Sequence, residues 1–221
     1  KWYENGNIWY TSEFHNGVKN GIHKIYYMNG LIKDSTQFVN GKEHGKFYSF
    51  KPDGTKESEG YFKMGQEDST WIWYNKGFVR IKGTFKNSLR HGTWLFNYPG
   101  TNKKEHIAFF KNGLKEGTWK YFYESGGKLR VANFKNDKRN GKWSVYFENG
   151  KLDHEGKFKD DKEHGVWTSW YEKNERVNEK GSFNMGVMDG KWEGFYDNGN
   201  QKFIANYDNG IKQGEYIKFY P

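Results

Sequence analysis

The chain contains no cysteine, which excludes disulfides and thiolate metal sites but leaves the compartment open. Aliphatic residues are scarce and hydrophobic residues of all kinds make up only 34%, so a conventional leucine and isoleucine core is out of reach. In a chain equally poor in rings that shortage would mean disorder. There is no long apolar run, and hence no transmembrane helix. The spacings of a nucleophile elbow, a phosphate-binding loop and a zinc-protease histidine pair are all missing.

What the chain has instead is rings. Phe, Tyr and Trp account for 20% of its 221 residues, and each buries roughly 150 to 250 Å², enough for a ladder of them to replace an aliphatic core. They recur with a period of about 24 residues, within the range of solenoids and arrays. With the glycine that opens each copy set to position 0, copies begin at Gly21, Gly45, Ser69, Gly92, Gly117, Gly141, Gly165, Gly190 and Gly214. The shared pattern is Gly at 0, Trp at 2, aromatics at 5 and 6, Asn-Gly at 8 and 9, a small residue at 15, Phe at 17 and Gly near 20. Residues 1–221 therefore read as one elongated domain of about nine repeats. The first residues fall in mid-copy, Trp2 and Tyr3 matching positions 5 and 6, so Lys1 reads as a processed or truncated end.

Positions 1 to 7 and 10 to 18 read as two strands separated by turn residues. Asn29-Gly30, Asp53-Gly54, Asn149-Gly150 and Asn198-Gly199 suit a two-residue type I′ hairpin, in which both central residues take positive φ. That loop sets position 2 opposite 15 and 0 opposite 17. The pairing explains the composition: Trp71, Trp94, Trp119, Trp143, Trp167 and Trp192 meet small residues such as Gly83, Ala132 and Gly156, since two large groups there would overfill the space. Position 17, with Phe134, Phe158 and Phe183 among its residues, covers the bare backbone of the opposing glycine. Just before each anchor stand Asn20, His44, Asp68, His91, Glu116, Asn140, His164, Asp189 and Gln213, a set rich in residues tolerant of left-handed backbone, which assigns them to a tight turn. The three histidines lie too many strands apart to share an ion. The expected architecture is all-β: an antiparallel hairpin array whose roughly 18 strands at about 4.8 Å spacing would coil into a rod or trough.

The run G-x-W-x-x-Y/F-Y/F-x-N-G followed by F-x-N-G-x-x-x-G resembles the bacterial variant of the MORN repeat, often labelled a YwqK-type antitoxin repeat. The resemblance covers essentially the whole chain and is best at residues 117–140, 141–164 and 190–213. It implies stacked β-hairpins in an extended sheet and a non-catalytic interaction role. A looser resemblance, to the choline- and glucan-binding repeats of Gram-positive surface proteins, points to carbohydrate, although their units carry adjacent Trp-Tyr-Tyr whereas Ser144 and Val145 separate Trp143 from Tyr146 here.

Positions 0, 2, 6, 15 and 17 share the ladder face, and positions 1, 3, 5, 12 and 16 the opposite one. On that mostly polar face position 5 stands out, with Trp2, Tyr26, Phe50, Tyr74, Phe122, Tyr146, Trp170, Phe195 and Phe219. These rings are the candidate partner-binding stripe, or a second packing ladder if the sheet coils strongly or a second copy stacks on it. A protein-binding scaffold, engaging another protein or further copies of itself, is the leading reading. Glycan binding is the alternative, with sugars stacked on Trp170, Tyr146 and Phe122. Single-stranded nucleic acid ranks last: Lys24, Lys120, Lys142 and Lys191 would meet phosphates, yet the net charge of +9 is spread over turns of mixed sign such as Lys115-Glu116 and Lys138-Arg139, where solvated charge is expected. No copy carries a differentiated constellation of titratable groups, so catalysis, metal and cofactor are not expected. The composition fits a secreted, periplasmic or surface protein of a bacterium, and a cytoplasmic array would look similar.

Overall fold

The computed structural model describes residues 1–221. It is all-β, nineteen strands in a single open antiparallel sheet, with consecutive strands following one another as hairpins. No helix is long and apolar enough to cross a membrane. The chain forms two compact units, residues 1–104 with 109–113 and residues 105–108 with 114–221, and the same hairpin builds both.

In the first unit, strands Val18–Tyr26 and Ile32–Val39 pair Gly21 with Phe38, His23 with Thr36 and Ile25 with Asp34. In the second, strands Lys138–Tyr146 and Leu152–Lys159 pair Gly141 with Phe158 and Trp143 with Gly156. Position 0 thus faces 17 and position 2 faces 15, the register expected from the small and large residues.

Past position 4 the register slips by one: Tyr26 pairs with Ile32 and Tyr146 with Leu152. The first turn is therefore not a two-residue type I′ loop. Gly30 donates its N–H to the Tyr27 carbonyl and Tyr27 donates to Leu31, and Gly30 alone takes positive φ, at 84°. This is the three-residue loop in which a glycine closes a type I turn. Asn29 is used differently. Its Oδ1 accepts the Leu31 N–H at 3.1 Å, while its Nδ2 donates to the Pro52 carbonyl, in the turn of the next hairpin, at 2.7 Å. The side chain's power to mimic a backbone turn outweighs its tolerance of left-handed backbone, and Asp53, Asn149 and Asn198 accept the N–H two residues on in the same way.

The type I′ turns lie at the opposite rim, between copies. Asn40-Gly41 has φ of 48° and 78° and is closed by the Val39 and Lys42 pair; Asn209-Gly210 has 48° and 80° and is closed by Asp208 and Ile211. Asp160-Asp161 takes the same shape at 49° and 68°. There Asp161 Oδ1 accepts the Arg139 N–H at 2.8 Å, and that bond holds its carboxyl below the usual carboxylate range. Lys76-Gly77, at 49° and 81°, is the one type I′ turn at the first rim. It accounts for the copy from Ser69 to Gly92 being one residue short.

The second correction concerns the anchor. None of the residues just before it has positive φ; the anchor does, at 114° in Gly21, 118° in Gly45, 98° in Gly141 and 61° in Ser69. The ladder shifts between Thr36 and Phe38 and again between Glu155 and Lys157, so the strand that follows a type I′ turn between copies carries a bulge at its anchor. A bulge needs one residue in the left-handed region, and glycine meets that need without a Cβ clash.

Candidate binding surfaces

On the ladder face each indole leans onto the preceding hairpin. A Cβ built on Gly60, Gly83, Gly156 or Gly181 would fall inside the ring of Trp71, Trp94, Trp167 or Trp192. Those four indoles donate Nε1–H to the carbonyls of Tyr61, Thr84, Lys157 and Ser182 at 3.1 to 3.2 Å. Position 17 rings of the second unit stand near edge-on to the indoles: Phe158 lies 5.1 Å from Trp143 and 5.1 Å from Trp167, and Phe183 5.1 Å from Trp192. Phe134 is tilted at 5.1 Å on Trp119. Trp71, Trp94, Trp119, Trp192 and Phe158 are buried, while Trp143, Trp167, Phe134 and Phe183 are half-buried.

Two components of this face escaped the sequence. Lys19, Arg90, Lys115 and Arg139, the last two read from the sequence as solvated turn charge, stand two residues before the anchor and lie over ladder rings: Lys19 4.9 Å over Phe38, Arg90 4.6 Å over Trp94, Lys115 5.2 Å over Trp119 and Arg139 4.1 Å over Phe158. Lys19, Lys115 and Arg139 are half-buried and Arg90 is exposed, and contacts of this kind contribute on the order of 0.5–1 kcal/mol or somewhat more each. The other component is position 4 with its cross-strand partner, position 13. Trp73 stacks at 5.9 Å on Trp71 and 5.8 Å on Trp94; Arg130 lies 4.0 Å over Tyr121 and 4.8 Å over Trp143. Alternation alone puts position 4 on the ladder face, but its residue type varies from Trp73 to Gly194, which hid the signal. Position 12 departs from its expected face: Lys33 and Lys202 reach Tyr27 and Tyr196, both at position 6, because the slip at the first turn leaves position 12 unpaired.

The stripe lies on the other face. Tyr74 Oη donates to Glu59 Oε1 at 2.6 Å, and Glu59 pairs with Tyr48 and Ile72 at position 3, so positions 3, 5 and 14 share that side. In the first unit Tyr26, Phe50 and Tyr74 are half-buried, as are Phe122, Tyr146, Trp170 and Phe195 in the second; Phe219 is 37% exposed. Lysines from the neighbouring strand partly cover two of them, Lys56 at 5.8 Å over Tyr74 and Lys128 at 5.8 Å over Tyr146. Burial, and then the bond to Glu59, push the Tyr74 phenol up to about 12. The backbone beneath the stripe is pinned by position 6. Tyr3, Tyr27, Tyr123, Tyr171 and Tyr196 donate their hydroxyls to the carbonyls of Tyr26, Phe50, Tyr146, Phe195 and Phe219, one copy further on, at 2.6 to 2.9 Å. His44, His91 and His164 stand on three separate hairpins, each with a buried Nδ1 that has no partner.

Residues 115–136, 139–160 and 188–209 match the family model described as MORN repeat variant, so the chain carries MORN-variant repeats. The three matches coincide with the copies in which the pattern is most complete. Repeats of this kind are generally involved in protein or membrane binding. No curated protein matches the chain.

Proposed function

We propose that the chain is a non-catalytic scaffold that lays the position 5 stripe along another polypeptide, within a bacterial envelope or extracellular assembly. The observation that carries this reading is the recurrence of a half-buried ring on a polar face, at Tyr26, Phe50 and Tyr74 in the first unit and at Phe122, Tyr146, Trp170 and Phe195 in the second, with Asn97 taking the place in the copy that opens at Gly92; position 6 hydroxyls tie the backbone beneath these rings to the neighbouring copy. Such a row meets an extended partner with rigid aromatic contacts, the residues that dominate interface energetics, and each further copy adds area without a new core. The envelope or extracellular setting is the part of this reading that rests on composition alone, a chain rich in Lys, Asn and aromatics, which a cytoplasmic array would share.

The test is affinity capture from the native source's extract, with the chain as bait beside a variant carrying Phe122→Ser, Tyr146→Ser and Trp170→Ser. Bound species are identified by mass spectrometry. A protein held by the parent and lost by the still-folded variant is the expected result. Equal capture by both removes the stripe from the reading. Binding of soluble polysaccharide in place of any protein would shift the function to glycan recognition.

A further inference from the structure

Between consecutive indoles of the ladder lies a slot about one ring thick. In the first unit it is full: Trp73 stacks on Trp71 at 5.9 Å and 26° and on Trp94 at 5.8 Å and 27°, with Phe85 edge-on to the two walls at 6.1 and 5.1 Å. The second unit builds the same frame between Trp167 and Trp192. Phe183 stands edge-on to both at 6.3 and 5.1 Å, and both indoles are fixed by their Nε1 bonds. The residue in the place of Trp73 is Ser169. A serine cannot fill a ring-sized gap, and a cleft of about 160 Å³ opens there, lined by His154, Trp167, Ser169, Glu179 and Trp192.

The chain's other slots show which occupants suit this frame. Flat groups enter: the indole of Trp73, the Phe203 ring stacked on Tyr216 at 6.1 Å beside Gly194, and the Arg130 guanidinium between Tyr121 and Trp143. The Trp167 and Trp192 slot differs in carrying a carboxylate. Glu179 sits across the strands from Ser169 on one side and Gly194 on the other, and it belongs to none of the molecule's salt bridges. The other titratable group at the cleft is His154, which stacks on Trp167 at 6.3 Å and places Nδ1 3.2 Å from Asp153. Indole faces, a hydroxyl and an unpaired carboxylate are met together by a planar cation: a guanidinium stacks on the walls and offers its fork of N–H groups to Glu179. A neutral ring uses only the walls, and an ammonium lacks the planar fit.

We propose that the slot between Trp167 and Trp192 is a recognition site for an arginine side chain presented by a partner polypeptide. It lies on the face opposite the position 5 stripe, and it rests on the protein-binding reading only for the source of the arginine.

The probe is N-acetyl-arginine amide, added to the 221-residue chain while the indole N–H resonances are followed by NMR. Saturable shifts confined to Trp167 and Trp192 are expected, weakened about fivefold by Glu179→Gln and abolished by Ser169→Trp, whose ring takes the place that Trp73 holds. N-acetyl-lysine amide is expected to bind at least about threefold more weakly. The proposal is overturned by an absence of saturation, by an unchanged affinity in Glu179→Gln, or by tighter binding of N-acetyl-tryptophan amide. If Ser169→Trp does not fold, the Glu179→Gln comparison decides alone. No partner protein enters this titration, so its failure and a failure of the capture experiment are separate results.

Discussion

Trp94 lies so close over Gly83 that a Cβ on that glycine would fall inside the indole, and the same ring donates Nε1–H to the Thr84 carbonyl at 3.1 Å. With Trp73 on one side and Phe96 on the other, Trp94 is only 1% exposed. A methyl group at Gly83 forces the ring outward and breaks its hydrogen bond. Gly83→Ala is therefore expected to destabilise by about 1–3 kcal/mol, read as a lowered urea midpoint with unchanged slope. An unshifted midpoint would show that the ring relaxes freely.

Ser69 is the one anchor that is not glycine, and it is held at φ 61°. Left-handed backbone costs a residue with a Cβ about 1–2 kcal/mol. Ser69→Gly is expected to stabilise by about 1 kcal/mol, less the loss from greater freedom of the unfolded chain. Thermal melting checks the sign, and a lower melting temperature would refute the strain.

The Tyr74 phenol is raised to about 12 by burial and by its bond to Glu59. Since the folded value lies above the unfolded one near 10, its contribution to stability is complete below about pH 10. It is lost as the pH climbs toward 12. Denaturant midpoints measured from pH 9 to 12 should fall in the parent and fall less steeply in Tyr74→Phe. Parallel curves for the two proteins would remove Tyr74 as the cause.

Tyr27 and Asn29 tie one copy to the next through the carbonyls of Phe50 and Pro52, both at 2.7 Å. Tyr27→Phe removes one such bond at a cost of about 0.5–1.5 kcal/mol. Asn29→Ala removes both the bridge and the turn bond to the Leu31 N–H, and the larger loss is expected there. Amide exchange in residues 26–32 and 50–55 is the local readout: both variants should speed it, with residues 141–160 unaffected.

Much of this was legible in the chain. The pairing of Trp143 with Gly156 and of Gly141 with Phe158 is the register that the large and small residues predict, although the ring that fills the space over Gly156 is Trp167 of the next hairpin and not the paired Trp143. The turns were harder, because asparagine before glycine serves two conformations. At Asn40-Gly41 the flanking strands close directly and both residues are left-handed, whereas at Asn29-Gly30 the next hairpin offers the Pro52 carbonyl and the side chain turns to it. Arg139 reads as solvated charge in a string of letters; its place over Phe158 comes with the bulge at Gly141.

The period, the all-β hairpin architecture, the places of the ladder rings and the register up to position 4 are written in the order of the residues, because these rest on pairing within one hairpin, where spacing along the chain fixes which side chains face each other. The kind of turn at each rim, the lean of Trp71, Trp94, Trp167 and Trp192 onto the hairpin before, the burial of the stripe and the difference between the slot that Trp73 fills and the one that Ser169 leaves open emerge only in three dimensions. Each of those depends on side chains from two neighbouring copies meeting in space, and one copy's pattern does not contain the other's.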